Sequence, residues 1–256
     1  MPNFIWLKKF ISILLINKST GFIIEKIYPD GIPFRGTKIK VPSTTSKSIS
    51  AMLFFKAYES AEIRFIHQYL NPNLPVIELG SSLGGVSCQI GLILPKNATF
   101  LCVEANPSLI STLKQNLTVN NVNSIVINKA IGNGSNILFE QSENNLVGQA
   151  SVKNHSDKKS NKIEVSTISL VQLCREYHIT DFNFVCDIEG AEIQILLDEP
   201  EAFVHIQHFI IELHETFKDG FTYSVKDLVS LINKLSFETI DSYGNVFYFK
   251  KIAKHI

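Results

Sequence analysis

Residues 76–85 read Val-Ile-Glu-Leu-Gly-Ser-Ser-Leu-Gly-Gly, which is an apolar strand with one acid, a turn with glycines and the start of a helix. Because glycine has no Cβ, Gly80 and Gly84 allow a tight turn that approaches a bound molecule closely. We therefore expect a side chain at Gly80 to fill ligand space and leave the fold intact. The pattern is a variant of the nucleotide-binding loop, with Ser82 where a glycine often stands. An ordinary strand-to-helix turn is the alternative.

The next strand supports the ligand-binding interpretation. Residues 99–103 are apolar, and the sequence Glu-Ala-Asn-Pro follows at 104–107. In Rossmann-like sheets, an acid about twenty residues beyond the glycines binds the ribose hydroxyls of a nucleotide. Glu78 precedes the glycines, and an acid there suits a cofactor that carries a positive charge.

Composition limits the classes of function. The 256 residues are enough for one α/β domain with additions. Lysine plus arginine equals aspartate plus glutamate at 24 each, so the net charge is zero and gives no support to nucleic-acid binding. The four cysteines lie in apolar segments without C-x-x-C spacing, as is typical of buried free thiols. We therefore expect a cytoplasmic protein.

The N-terminal part is predicted to be a separate cap over residues 1–70, with the cofactor-binding domain over 71–256. The apolar run 4–16 is interrupted by Lys8 and Lys9 and is too short to cross a bilayer. It also lacks the order of charge, apolar run and cleavage site of a signal peptide. We expect a packed helix or a homodimer contact, with peripheral membrane attachment as the alternative.

Within the cap, residues 22–28 and 38–41 are predicted to pair as a hairpin around the turn at 29–31. Apolar residues recur at helical spacing over 50–70, which predicts a helical segment. Beyond the first strand, helices are predicted over 86–94, 107–120 and 170–177, and strands over 124–127, 137–139, 163–165, 182–186 and 209–211. The polar segment 141–162 is interpreted as a mobile lid on the acceptor side, or else as an idle surface insertion.

Carboxylates follow four of the predicted strands, at Glu78, Glu104, Asp187 and Glu212. In an open α/β sheet these strand ends converge on one crevice, which is the default ligand site. The third strand leaves the sheet at the same edge through residues 128–132. Backbone groups there can hydrogen-bond a purine, on which Ile131 would stack.

The sequence resembles the FkbM-type S-adenosylmethionine-dependent methyltransferases over roughly residues 58–215. The motifs that carry the resemblance are Glu-Leu-Gly-Ser-Ser-Leu-Gly at 78–84, Val-Glu-Ala-Asn-Pro at 103–107, Asn-Lys-Ala-Ile-Gly at 128–132 and Asp-Ile-Glu-Gly-Ala-Glu at 187–192. The family often has lysine two positions before the aspartate, where this chain has Val185, which leaves the role of that lysine open.

The resemblance implies a Rossmann-like class I methyltransferase fold. This is a seven-stranded, mostly parallel sheet with helices on both faces, here with an N-terminal helix and hairpin extension. Residues 243–249 would be the last, antiparallel strand. The implied activity is O-methylation of a hydroxyl on a small-molecule or glycan acceptor, such as a sugar or secondary metabolite, with S-adenosylmethionine as the cofactor.

Methyl transfer from a sulfonium requires an aligned acceptor and removal of its proton. We assign Glu78 and Asp187 to the cofactor's positive charges and Glu104 to its ribose. The candidate cofactor-binding residues are Glu78, Gly80, Ser81, Ser82, Gly84, Glu104, Ala105, Asn106, Ala130, Ile131 and Asp187. The catalytic candidates are Asp187, Glu212 and His214, and histidine has the ordinary pKa nearest neutrality. A structural role for His214 is the alternative.

Three other interpretations stay open. Asp187, Glu212, His214 and Glu215 offer oxygen and nitrogen ligands that magnesium or manganese accepts, although we expect a metal-free mechanism. A nicotinamide-dependent oxidoreductase would use a similar turn. A cofactor-binding subunit without catalytic activity would also retain these motifs.

Overall fold

The computed structural model describes residues 15–141, 148–150 and 162–252. Its N-terminal part comprises α1 (Lys18–Ile27), β1 (Ile32–Phe34), β2 (Thr37–Ile39), α2 (Lys47–Phe54) and α3 (Ser60–Tyr69). The elements up to the middle of the chain are β3 (Val76–Leu79), α4 (Gly85–Ile93), β4 (Phe100–Val103), α5 (Ile110–Val119), β5 (Ile125–Ile127), β6 (Ala130–Ile131), β7 (Ile137–Gln141) and β8 (Gly148–Ala150). The later elements are β9 (Lys162–Val165), β10 (Thr167–Ile168), α6 (Leu170–Glu176), β11 (Phe182–Cys186), α7 (Glu192–Asp198), a 3-10 helix (Pro200–Val204), β12 (Ile206–Glu212), β13 (Thr216–Lys218), β14 (Phe221–Tyr223), α8 (Val225–Lys234), β15 (Phe237–Tyr243) and β16 (Val246–Lys251).

The main sheet has seven strands in the order β15-β16-β12-β11-β3-β4-β5. From β12 to β5 all neighbours are parallel, and β16 is antiparallel to both β12 and β15. This confirms the predicted mostly parallel sheet with an antiparallel last strand. That strand begins at Val246, because Tyr243 ends β15, a strand that the sequence interpretation missed.

Helices cover both faces of the sheet, as predicted. In β3, Ile77 and Leu79 face a core that includes residues of α6, α7 and α8, whereas Val76 faces a second core with residues of α3, α4 and α5. Strands buried on both faces in this way are continuous apolar runs, so Glu78 stands out as a buried acid within β3. The four cysteines are free, and all but the half-buried Cys174 are buried.

The first predicted strand, residues 22–28, is instead part of helix α1. The Asn17 side chain caps this helix by accepting a hydrogen bond from the backbone N–H of Thr20 at 2.9 Å. Phe22 and Ile23 are exposed. Their β-forming side chains misled the prediction, because strand propensity is weak against a helix cap and its tertiary packing.

The hairpin lies further along the chain, where β1 pairs with β2 through the two-residue turn Arg35-Gly36. Both turn residues have positive φ, at 45° and 88°, as two-residue hairpin turns commonly require. The helical segment predicted over 50–70 is two helices, because the chain breaks between α2 and α3. Lys56 and Glu59 in this break have left-handed backbone conformations.

Most of the segment predicted to be a lid, namely residues 142–147 and 151–161, lies outside the described residues. The lid interpretation therefore stays a prediction, as does the interpretation of residues 4–14. Within the described part of the chain, no helix is both long enough and apolar enough to cross a membrane.

The turn after β3 runs against the end of β11. Gly80 has a φ of +85°, and a Cβ built there would lie 1.7 Å from the carbonyl oxygen of Asp187. A side chain at this position would thus collide with backbone of the sheet itself. The expectation that such a side chain would leave the fold intact is therefore wrong, whereas its effect on ligand space stays a prediction.

We predict that Gly80→Ala lowers the free energy of unfolding by about 3 kcal/mol or more, through backbone strain plus displacement of β11. Gly134→Ala is the matched control, because Gly134 also has a positive φ, +93°, but has open space around it. Gly134→Ala should lower the free energy of unfolding only by the cost of the strained backbone conformation, about 1 kcal/mol. Denaturant titration of both variants measures the difference, and equal losses would contradict the collision.

Candidate functional site

A cleft opens at the carboxyl ends of β3, β4 and β11. This is the edge at which open α/β sheets bind their ligands. Of the predicted cofactor-binding residues, those that line the cleft are Glu78, Gly80, Ser81, Ser82, Glu104, Ala105, Ala130, Ile131 and Asp187.

Gly84 and Asn106 do not line the cleft, and they shape the turns beside it. The backbone N–H of Gly84 donates to the carbonyl of Ser81 at 2.8 Å, which closes the turn before α4. Asn106 is buried, and its side-chain oxygen accepts hydrogen bonds from the backbone N–H and hydroxyl of Ser108. This local pattern stabilises the turn that leads towards α5.

Glu104 ties two loops of the cleft together. One carboxylate oxygen accepts from the backbone N–H of Ser82 and the other from that of Asn106, each at 2.7 Å. Burial raises the pKa of this carboxyl, while the two backbone donors act against that shift. Each carboxylate oxygen has further acceptor capacity, so the group suits a ligand that presents two hydroxyls.

Glu78 is 2% exposed. Its Oε2 accepts from the hydroxyls of Ser81 and Ser87 at 2.9 and 2.6 Å, whereas Oε1 has no partner among the described residues. Burial raises the pKa of Glu78 to about 7. A buried carboxylate with an unpaired oxygen is stabilised by a positively charged ligand in the cleft.

The cap supplies one wall of the cleft, although none of its residues is among the predicted site residues. Tyr58, Glu59 and Glu62 line this wall. Burial, followed by the charge of Glu212, raises the pKa of Glu59 to about 7. Glu62 is 4% exposed, and burial followed by the charge of Asp187 raises its pKa. The sequence feature that could have identified this wall is Glu62. This acid is in helical register with Phe65 and Ile66 on the buried side of α3.

The three catalytic candidates lie together. Ligand atoms of Asp187, Glu212 and His214 are all within 4.8 Å of one another, next to the cleft. Asp187 Oδ1 is buried without a hydrogen-bond partner among the described residues, and burial followed by the charge of Glu59 raises the pKa of Asp187. Glu215 is exposed and does not belong to this group.

His214 is held by acids on both sides of its ring. Its Nδ1 lies 3.0 Å from Oε1 of Glu192, and its Nε2 lies 3.4 Å from Glu189 and 4.0 Å from Glu212. The hydrogen bond with Glu192 is the largest of the effects that raise the pKa of His214 to about 9. In the ligand-free protein these acids favour the protonated imidazole, so the pKa of His214 lies above the ordinary value that the sequence interpretation used.

Residues 94–239, more than half of the chain, match the model of the methyltransferase FkbM domain. The chain belongs to the FkbM methyltransferase family. It is therefore a methyltransferase that uses S-adenosylmethionine. The cleft is compatible with this cofactor, since Glu104 has spare acceptor capacity for ribose hydroxyls and the unpaired oxygens of Glu78 and Asp187 suit positive charge.

Several solved structures resemble this FkbM protein in fold. A methyltransferase from Pyrococcus furiosus is 13% identical, with a TM-score of 0.44 over 90% of this chain and 96% of that chain. Magnesium protoporphyrin IX methyltransferase from Synechocystis PCC 6803 is 13% identical, with a TM-score of 0.48 over 92% and 93%. The METTL16 methyltransferase domain is 12% identical, with a TM-score of 0.46 over 91% and 79%. Comparison with curated proteins gives no match.

We predict that Glu104→Ala weakens binding of S-adenosylmethionine and of its demethylated product equally, by about 1–3 kcal/mol. The reason is that ribose is common to both molecules. Calorimetry with each ligand measures the loss, and Glu176→Ala, an exposed acid, is the control. A loss confined to the methylated form would instead place Glu104 near the sulfonium.

Glu78 should make the ligand-free protein less stable as pH rises. An acid whose pKa is raised from 4.5 to about 7 by folding stays protonated in the folded state while the unfolded chain ionises, so stability falls from about pH 4.5 to 7. The shift corresponds to about 3 kcal/mol.

In Glu78→Gln this pH-dependent part disappears. Between pH 5 and pH 8, the difference in unfolding free energy between variant and wild type should therefore change by about 2.5 kcal/mol in favour of the variant. The same variant should bind S-adenosylmethionine more weakly. Denaturant titrations at both pH values give the result, and a difference that is constant with pH would refute this role of burial.

Proposed function

We propose that this protein transfers the methyl group of S-adenosylmethionine to a hydroxyl oxygen of a sugar, glycan or secondary metabolite. The observation that carries the proposal is the Oδ1 atom of Asp187, which is buried and lacks a hydrogen-bond partner in the described part of the chain. Asp187 lines the cleft and also belongs to the group with Glu212 and His214. A proton acceptor thus stands at the cofactor cleft.

Oxygen as the methyl acceptor explains why such a group is needed. The hydroxyl oxygen forms a bond to the methyl carbon while the carbon–sulfur bond breaks and its electron pair returns to sulfur. The products are a methyl ether and S-adenosylhomocysteine, and the hydroxyl proton must leave during the step. The carboxylate of Asp187 is positioned to receive that proton. A general base in such a position contributes a factor of about 10²–10⁴ to the reaction rate.

We assign the roles in cofactor binding from the residues that line the cleft. Glu104 would bind the ribose hydroxyls, and the unpaired Oε1 of Glu78 would face the methionine ammonium. The short strand at Ala130–Ile131 would flank the adenine. On this assignment the acceptor enters beside Asp187, below the wall formed by the cap.

Two other functions are less well supported. A nicotinamide-dependent oxidoreductase does not account for the buried acid of β3 before the glycines, whereas a cofactor with positive charge does. A binding subunit without catalytic activity does not account for the grouping of Asp187 with Glu212 and His214 beside the cleft. The proposal therefore places catalysis at Asp187.

The test combines an acceptor screen with one pair of variants. Sugars and hydroxylated metabolites are incubated with S-adenosylmethionine labelled in its methyl group, each beside the matched deoxy compound. We expect label only in the hydroxylated member, as a methyl ether identified by mass spectrometry and NMR.

With an acceptor in hand, Asp187→Asn should lower kcat at saturating cofactor by about 10²–10⁴. Asp181→Asn is the control, because this exposed aspartate precedes β11 at the opposite edge of the sheet and undergoes the same change of charge. Label on nitrogen or carbon would reject O-methylation, and an unchanged kcat in Asp187→Asn would reject its role as the base.

A further inference from the structure

The imidazole of His214 is oriented by a buried second carboxylate. Glu192, whose side chain is 0% exposed, holds Nδ1 at 3.0 Å and is itself fixed by the backbone N–H of Gly190 at 3.1 Å. Nε2 therefore points to the side of Glu189 and Glu212. A carboxylate that holds one ring nitrogen while the other faces acidic oxygens is the usual surrounding of a histidine that binds metal.

We propose that Asp187, Glu212 and His214 together bind one divalent metal ion, with Glu192 as the residue that orients the imidazole. Their ligand atoms lie within 4.8 Å of one another. Ligands on opposite sides of a magnesium-sized ion stand about 4.2 Å apart, so small side-chain rotations complete the site. Asp187 directly follows β11 and Glu212 is the last residue of the adjacent parallel strand β12, and this places both on rigid supports.

An independent observation is the charge of the surrounding wall. Glu62 is 4% exposed, lines the same cleft, and has no hydrogen bond or ion pair within the described ranges. Glu59, Asp187 and Glu189 line the same cleft, so several carboxyls share this surface. The cleft lining contains one lysine, Lys129, which is beside Ala130. A divalent cation would offset this concentration of acids.

The ligand types favour manganese over calcium. Calcium binds through oxygen alone, whereas imidazole nitrogen suits transition metals and carboxylate suits manganese. The inference deepens the proposed function, because a metal ion beside the acceptor would bind its hydroxyl and lower the pKa of that hydroxyl. The metal and Asp187 would then act on the same proton.

The experiment measures metal binding apart from catalysis. Full-length protein is freed of metal with EDTA and titrated with Mn²⁺, without cofactor or acceptor, and the free ion is followed by electron paramagnetic resonance. We expect saturable binding of one Mn²⁺ per chain. Glu212→Gln and His214→Ala should each weaken it at least tenfold, and Glu192→Gln about 10–100-fold.

Glu215→Gln is the matched control, since this exposed acid lies three residues after Glu212 and outside the group. Its Mn²⁺ affinity should equal that of wild type, and thermal unfolding of every variant shows whether it is folded. No saturable binding by wild type would overturn the proposal. The proposal would also be overturned if wild type, Glu212→Gln and His214→Ala bound Mn²⁺ with equal affinity. The same holds if Glu215→Gln lost as much Mn²⁺ affinity as those two variants.

The two proposals fail separately. Saturable Mn²⁺ binding without any methyl ether product would reject O-methylation and leave the metal site standing. Methyl transfer to a hydroxyl that persists in EDTA, from protein that binds no Mn²⁺, would reject the metal site alone.

Discussion

The turn after β3 passes so close to the end of β11 that only glycine fits at position 80. The contact is held by the sheet itself, since the backbone N–H of Asp187 donates to the carbonyl of Leu79 at 3.0 Å. Because the two strands are adjacent and parallel, the glycine turn after β3 and the acid after β11 come to lie on the same edge of the sheet. The strand order therefore determines where the site lies. Its geometry is fixed by buried backbone rather than by flexible loops.

This arrangement collects carboxylates in a place where water solvates them poorly. Burial is the largest cause of the raised pKa at Glu59, Glu62, Glu78 and Asp187. Ionised acids at such positions lower the free energy of unfolding of the ligand-free protein. A cationic ligand bound in the cleft offsets this loss of stability. Such a ligand would therefore also stabilise the folded protein, so ligand binding and stability are linked.

Features that depend on a short run of neighbouring residues could be predicted from the sequence. An apolar run followed by an acid marks the end of a parallel strand, and this pattern identified β3, β4, β11 and β12 together with Glu78, Glu104, Asp187 and Glu212. Features that depend on tertiary packing were not predictable in this way. Helix α1 looked like a strand because its exposed Phe22 and Ile23 have high β propensity, and the chemical state of His214 depends on Glu189 and Glu192, which lie 25 and 22 residues earlier in the chain.

The cap shows how such a tertiary feature arises. The helical pattern over residues 50–70 contains no proline or glycine to mark its interruption, yet the chain leaves the helix after α2 and enters α3 through a left-handed Glu59. That break lets α3 pack Phe65 and Ile66 into the core while Tyr58, Glu59 and Glu62 reach the cleft. Backbone strain at an acid that lines a cleft is retained only when surrounding contacts hold it. The cap is thus a wall of the cleft and not only a cover for the sheet, because three of its side chains line the cleft and two of these are acids.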